Sequence, residues 1–372
     1  MNYKLLLAVL CLCFGCTHKV SETDGSIRVK LLPTQIENTA PMSEVLSMKK
    51  KVLLETDEEN LIGEISKLIT TPDKYIIWDS EQMIVFVFDR NTGKKIGLID
   101  AMGQGPQEYV TILDITYNKT SDEILILSPK KLLVYTPKGE FKRGESTELF
   151  GVHIALTPMG KAAVYADYSE NETVDKKIKD NLLVLNADFK VEKSYMPFKT
   201  MVNSFVRINP MIGNGDSFLY YDKCTDKLYG FAPDNSLEAL YTLDYGNDNA
   251  EIATKVLSDL ESDKGMQPYK GVSLEKQYQY CGLNNVLNTP SYLFLIYSQN
   301  DYYHYVFYHK VDGKIRQFSK KQMGIAPPIP LINDFDEVQY YPLLSNEGDT
   351  LISYAFLQEK DTFVMIEFEI KD

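Results

Sequence analysis

Short runs of apolar and aromatic residues recur along the chain, each closed by a polar turn. Val85-Phe86-Val87-Phe88-Asp89 leads into Arg90-Asn91-Thr92-Gly93, and Leu132-Leu133-Val134-Tyr135 into Thr136-Pro137-Lys138-Gly139. Leu182-Leu183-Val184-Leu185, Lys227-Leu228-Tyr229-Gly230-Phe231 and Tyr305-Val306-Phe307-Tyr308 end in comparable turns, and residues 363–370 close the chain with the same strand type. With Phe88, Tyr135, Leu185, Phe231, Tyr308 and Phe368 as markers, the separations are 47, 50, 46, 77 and 60 residues. Each interval holds further strand candidates, such as Lys74-Tyr75-Ile76-Ile77-Trp78 and Glu123-Ile124-Leu125-Ile126-Leu127, punctuated by the Gly, Asp, Asn and Pro that hairpin turns require. A period of about 40–50 residues with about four strands per unit is that of a β-propeller blade, and six units fit the chain.

The strand chemistry agrees. Tyr292-Leu293-Phe294-Leu295-Ile296-Tyr297 is apolar on both faces, where a half-exposed sheet would alternate apolar with polar. Propeller blades pack face against face, so their strands lose both faces to neighbours. A buried parallel sheet would need amphipathic helices between strands, and the pattern offers one good candidate. Asn249 as cap, the stripe Ile252, Val256, Leu257 and Leu260, and Gly265 as stop predict a helical insertion between the fourth and fifth blades. The expected fold is therefore all-β, a six-bladed propeller over residues 26–372 carrying that insertion. Ring closure is expected from an N-terminal strand, either residues 26–31 or 50–55, paired with the last blade.

The first residues change the picture from fold to address. Residues 5–14 form an unbroken apolar run behind Lys4, too short for the roughly 20 residues of a membrane-spanning helix and suited to a secretory leader. It ends in Cys13-Phe14-Gly15-Cys16, which resembles the lipobox of bacterial lipoproteins, with Cys13 standing where Leu is usual. The expectation is a leader over 1–15, acylated Cys16 as the new N-terminus, and a polar tether over 16–25. Several acyl chains would make membrane attachment effectively permanent. Of the five cysteines, Cys224 and Cys281 remain for one disulfide or two buried thiols. Asp plus Glu number 52 against 39 Lys plus Arg, a net charge of −13, which repels a phosphate backbone and argues against nucleic acid as partner.

Gly103-Gln104-Gly105-Pro106-Gln107-Glu108-Tyr109, placed after a first blade ending in Gly93-Lys94-Lys95-Ile96, resembles the GxGPxEY/F segment of the six-bladed β-propeller lipoproteins of Bacteroidota. That resemblance implies a TolB-like propeller in a bacterial envelope. The family's molecular function is generally unassigned, so no catalytic residues follow from it. As a phosphate loop the segment fails, because Pro106 lacks an N–H and no Lys-Ser/Thr follows. Its glycines are expected to permit positive φ in an inter-blade turn.

Candidate chemistry centres on the axial channel. Glu108, Tyr109, His153, Arg207 and Tyr221 are the candidate ligand contacts: His153 and Arg207 begin or flank apparent inner strands, and Tyr rings offer an apolar face with a hydroxyl handle. His304 and His309, five apart, fall on opposite faces of a strand and cannot share a metal there. No HExxH or GxSxG occurs. No cofactor is expected; the alternative is a divalent ion such as Ca in the central channel, held by Asp79, Asp114 and Asp222 in a metal-dependent hydrolase or lactonase. The favoured expectation is a binding or scaffold module for a glycan, a peptide or an outer-membrane protein partner.

Overall fold

A computed structural model describes residues 25–372 except 33, 57–60, 148, 173–176, 199–210, 213–217, 223–224, 247–248, 250, 253–280, 300, 324–326 and 372. Among the described residues the strands form six blades in sequence order, each with an antiparallel four-stranded core, and two short two-stranded pairings, Asn171–Glu172 with Lys177–Ile178 and Ala40–Pro41 with Leu331–Ile332. Blade 1 is Lys67–Thr70, Lys74–Asp79, Ile84–Asp89 and Lys95–Ile99. Blade 2 is Asp114–Asn118, Glu123–Ser128, Lys131–Tyr135 and Phe141–Ser146. Blade 3 is His153–Leu156, Ala162–Tyr165, Asp180–Leu185 and Val191–Pro197. Blade 4 is Met211–Ile212, Leu219–Asp222, Lys227–Phe231 and Leu237–Asp244. Blade 5 is Gly282–Asn288, Tyr292–Gln299, Tyr302–His309 and Ile315–Lys321. Blade 6 is Ser345–Glu347, Thr350–Leu357 and Thr362–Ile370, completed by Leu46–Leu53 from the N-terminal region.

The first strand of every blade lies beside the first strands of its two neighbours, and blade 6 returns to blade 1. The chain is thus a closed six-bladed β-propeller with those strands around the axis. Between each pair of adjacent blades lies one apolar cluster, and alternate residues of a strand feed opposite clusters. Tyr75 and Ile77 pack towards blade 6 with Met365, while Ile76 packs towards blade 2 with Ile126. Leu293 and Leu295 face blade 4, and Phe294 and Ile296 face blade 6. This two-sided burial is the physical reason the strand sequences read as continuous apolar runs.

Closure uses Leu46–Leu53, starting four residues earlier than the 50–55 expectation, antiparallel to Thr362–Ile370. The other candidate has a different task. Ile27–Lys30 adds a fifth strand to blade 4, parallel to Leu237–Asp244. The chain then crosses blade 5, where the Asn38 and Ser319 backbones exchange hydrogen bonds of 2.9 and 2.8 Å, and Ala40–Pro41 pairs with Leu331–Ile332. A single N-terminal strap therefore ties the outer edges of blades 4, 5 and 6, which blunts three edges open to strand addition. The expected helical insertion falls almost wholly outside the described residues. Asn249 itself is buried, and its amide bridges blades 4 and 5 by donating to Asp226 Oδ1 (2.9 Å) and accepting from Cys281 N (2.7 Å). Cys281 is buried; Cys224 and Cys16 lie outside the described residues.

Candidate functional site

The inner strands run in the same direction around the axis, so the disc has one face where they begin and one where they end. On the first face the structure joins Lys67, Asp114 and His153, the opening residues of the inner strands of blades 1, 2 and 3. Lys67 Nζ donates to Asp114 Oδ1 (2.7 Å) and to the Ile115 carbonyl (2.7 Å). Asp114 also accepts from Ile154 N (2.9 Å) and Ile115 N (2.8 Å), and His153 Nδ1 stands 3.5 Å from Oδ2. Burial works to raise the Asp114 carboxyl, but the Lys67 charge and His153 outweigh it and hold it below the ordinary carboxylate range. This is an ionic clasp across three blades, with the His153 ring stacked on Tyr165 at the channel mouth.

The other sequence-derived candidates separate. Asp79 organises a turn: Oδ2 accepts from Gly63 N (2.7 Å) and Gln82 Nε2 (2.7 Å), and Oδ1 from Glu81 N and Gln82 N. Asp222, on blade 4, accepts from the Thr225 hydroxyl in the corresponding turn. Asp79, Asp114 and Asp222 thus belong to blades 1, 2 and 4, and among the described residues no three His, Cys, Asp or Glu side chains are grouped to hold an ion. Tyr221 is buried between blades 4 and 5, with its hydroxyl on Asp226 (3.0 Å). Arg207 lies outside the described residues. His304 is buried against Tyr297, whereas His309 meets Asp312 (2.7 Å) near the surface.

The GxGPxEY segment is a plug gripped by blade 2, where Lys131 Nζ donates to the Gly105 (2.7 Å) and Glu108 (3.0 Å) carbonyls and the Tyr135 hydroxyl to the Gln107 carbonyl. Tyr109 is fully buried, and its hydroxyl donates to the Met83 carbonyl (2.8 Å) while accepting from Ala101 N (3.2 Å). Burial pushes that phenol up to about 12. Glu108 folds back to accept from Gly105 N (2.7 Å). Neither Gly103 nor Gly105 has positive φ, contrary to the sequence expectation. They are glycines because a Cβ would meet the Glu108 carboxylate, at 2.1 Å from position 103 and 3.0 Å from position 105. Glu108 and Tyr109 therefore position the link between blades 1 and 2.

The opposite face carries a cavity of about 440 Å³ that sequence reasoning missed. It is built where inner strands turn into second strands: Thr70-Thr71-Pro72 of blade 1, Tyr117 and Lys119 of blade 2, Asn288-Thr289-Pro290 of blade 5 and Asn346-Glu347-Gly348 of blade 6, with Lys310 from the outer turn of blade 5. Tyr117 is fixed by its hydroxyl on Asp122 Oδ1 (2.6 Å), and Thr70 by the Ser345 hydroxyl (3.0 Å). Lys310 Nζ donates to Asn288 Oδ1 (2.6 Å) and to the Thr289 carbonyl. The volume falls within the range of small-molecule pockets, about 300–1,000 Å³, and convergent polar groups on turns held by a rigid ring are what such pockets need.

Ring closure, blade order and the strap define the class: a six-bladed β-propeller with an axial cavity. Within that class the chain belongs to the DUF4934 family, a domain of unknown function whose model matches residues 27–367. The fold is similar to that of a Bacteroides fragilis NCTC 9343 protein whose name gives its export as inferred, with 13% identity, 93% of this chain and 100% of that one covered, and a TM-score of 0.67. A member of the DUF4221 family from Bacteroides vulgatus ATCC 8482 aligns at 10% identity over 91% of this chain and 100% of its own, with a TM-score of 0.49. No curated protein matches the sequence.

Proposed function

We propose that the protein is an exported, N-terminally acylated envelope protein that acts by binding, with the axial cavity as its ligand site. The observation that carries this reading is the cavity itself: turns of four blades bring amide, hydroxyl and ammonium groups and one aromatic ring to one opening on the axis. A Tyr ring beside amides and hydroxyls suits a glycan or a short peptide. The address rests on the leader, on Cys16 and on the fold's likeness to a protein named for export. Because Ile27–Lys30 runs parallel to the outer strand of blade 4, its first residue stands at the rim on the side where outer strands begin, which is the cavity side. An acylated tether would then set the cavity face towards the membrane, within reach of an outer-membrane protein partner.

Two experiments test this. In an array of glycans and peptides, the protein is expected to bind one class, and Tyr117→Ala or Asn288→Ala to weaken that binding at least tenfold, the scale of one lost stacking or hydrogen-bonding group (about 1–3 kcal/mol). Binding unchanged in both variants would remove the cavity from the function. Separately, Cys16→Ala is expected to move the protein from the membrane fraction to the soluble envelope fraction; retention on membranes would refute acylation at Cys16.

A further inference from the structure

We propose that the ligand of this cavity carries a single carboxylate seated against Lys310, making it a monoanionic, hydroxyl-rich molecule of the uronic-acid class. The inference rests on the reading of the cavity as a ligand site. An ammonium group has three N–H donors. Lys310 spends one on Asn288 Oδ1 and one on the Thr289 carbonyl, both neutral acceptors that fix Nζ at the cavity wall. Among the described residues no carboxylate stands within ion-pair distance of it. The nearby Asp349 carboxylate is consumed elsewhere, accepting from the Thr289 hydroxyl (2.6 Å), Ser291 N (2.8 Å) and the Ser291 hydroxyl (2.7 Å).

Lys310 is therefore a half-buried cation without a contact ion pair among the described residues, its charge offset only in part by Asp349. Burial pushes its pKa down, and the pull of Asp349 does not restore it. Such a charge is unfavourable without a partner and becomes favourable when an anion arrives. The charge balance limits the anion. Lys119 and Glu347 share the cavity wall as an opposed pair of charges and the whole chain carries −13, so polyphosphates and sulfated polymers meet more repulsion than one carboxylate does. The oxygens of Thr70, Thr71 and Thr289, whose own protons go to Ser345, Asp73 and Asp349, accept from ring hydroxyls beside the Asn288 and Asn346 amides, and only the rim of the buried Tyr117 ring reaches the wall.

Titration calorimetry with the purified protein tests this, with galacturonate and glucuronate set against galactose, glucose and acetate. At neutral pH an acidic sugar is expected to bind at least tenfold more tightly than its neutral counterpart and than acetate. Lys310→Met should erase that preference with an unchanged circular dichroism spectrum, and Lys310→Arg should retain it. The acidic sugar's affinity should fall as pH rises through the lowered ammonium pKa, while neutral-sugar affinity stays level. Equal binding of acidic and neutral sugars, or a preference that survives in Lys310→Met, overturns the carboxylate assignment and leaves the cavity as a neutral-ligand site. Acetate binding as tightly as a uronate overturns the sugar class. Failure of every sugar and of acetate to bind overturns the uronic-acid assignment, while the cavity reading falls only if no arrayed glycan or peptide binds in a manner that Asn288→Ala weakens.

Discussion

Glu367→Ala is expected to lower stability by about 3–5 kcal/mol, the scale of a buried charge left without its partner. Glu367 sits on Thr362–Ile370, the strand that closes the ring, and reaches across the seam into blade 1. Arg90 forks onto it through Nε (2.7 Å) and Nη2 (3.0 Å), and the Tyr75 hydroxyl donates to the same carboxylate. Arg90 Nη1 adds the Thr71 carbonyl (3.0 Å). Arg90, Tyr75 and Glu367 are all buried, so truncating the carboxylate strands a guanidinium away from water. Denaturant midpoints of Glu367→Ala, Arg90→Met and the double variant measure this. The double variant should be less destabilised than Glu367→Ala alone, because no lone charge remains. A loss of about 1 kcal/mol or less, as for exposed ion pairs, would show that apolar packing alone holds the seam. The pair also sets a pH response. Burial works to raise the Glu367 carboxyl, but hydrogen bonds from Arg90 and Tyr75 outweigh it and hold its folded pKa below the ordinary value. The stabilisation is therefore present above the unfolded carboxyl pKa, about 4.3, and is lost as pH falls through the folded value. Wild-type stability should fall more steeply below pH 4 than that of Glu367→Ala.

The architecture was legible because a propeller strand loses both faces to its neighbours, and two-sided burial writes itself into the sequence as runs such as Tyr292–Tyr297. The axis was not legible, because position along the axis leaves no periodic mark. Asp79 and Asp114 look alike in sequence, both aspartates at strand ends. One gathers its own turn's amides; the other is met by Lys67 and His153 from two further blades, which only the closed ring brings together. The glycines of the GxGPxEY segment were read as backbone freedom, yet their role is room for a carboxylate three to five residues on, a fact of side-chain packing. The cavity is assembled from turns of four blades separated by as many as 278 residues (Thr70 to Gly348), so no local motif announces it. Asn288-Thr289-Pro290 carries turn-forming residues, but nothing in it reveals that Lys310 folds over the same turn.

A chain beginning at residue 55 is expected to lose its cooperative unfolding transition. It lacks Leu46–Leu53 and so leaves the whole of Thr362–Ile370 as an open edge in a strand whose residues 362–368 are all buried. The deleted segment also removes Leu46, Val52 and Leu54, each buried, worth together about 5–9 kcal/mol of apolar burial. Against a whole-domain stability of about 5–15 kcal/mol, that loss alone brings the ring close to unfolding. The unpaired edge then invites strand addition between molecules, so the truncated chain should accumulate as aggregate. A chain beginning at residue 39 separates the two tasks of the N-terminal region. It gives up the strap on blade 4, with Val29 and Leu31, but keeps the closing strand. It should stay monomeric and unfold in one transition at a lower temperature. A peptide spanning residues 40–56, added in trans to the chain beginning at residue 55, should restore solubility and the transition, because the missing interactions are those of one strand with one edge. If the chain beginning at residue 55 melts as the intact protein does, then the ring closes without its N-terminal strand, and the seam built around Leu46–Leu53 and Glu367 is not what holds blade 6 to blade 1.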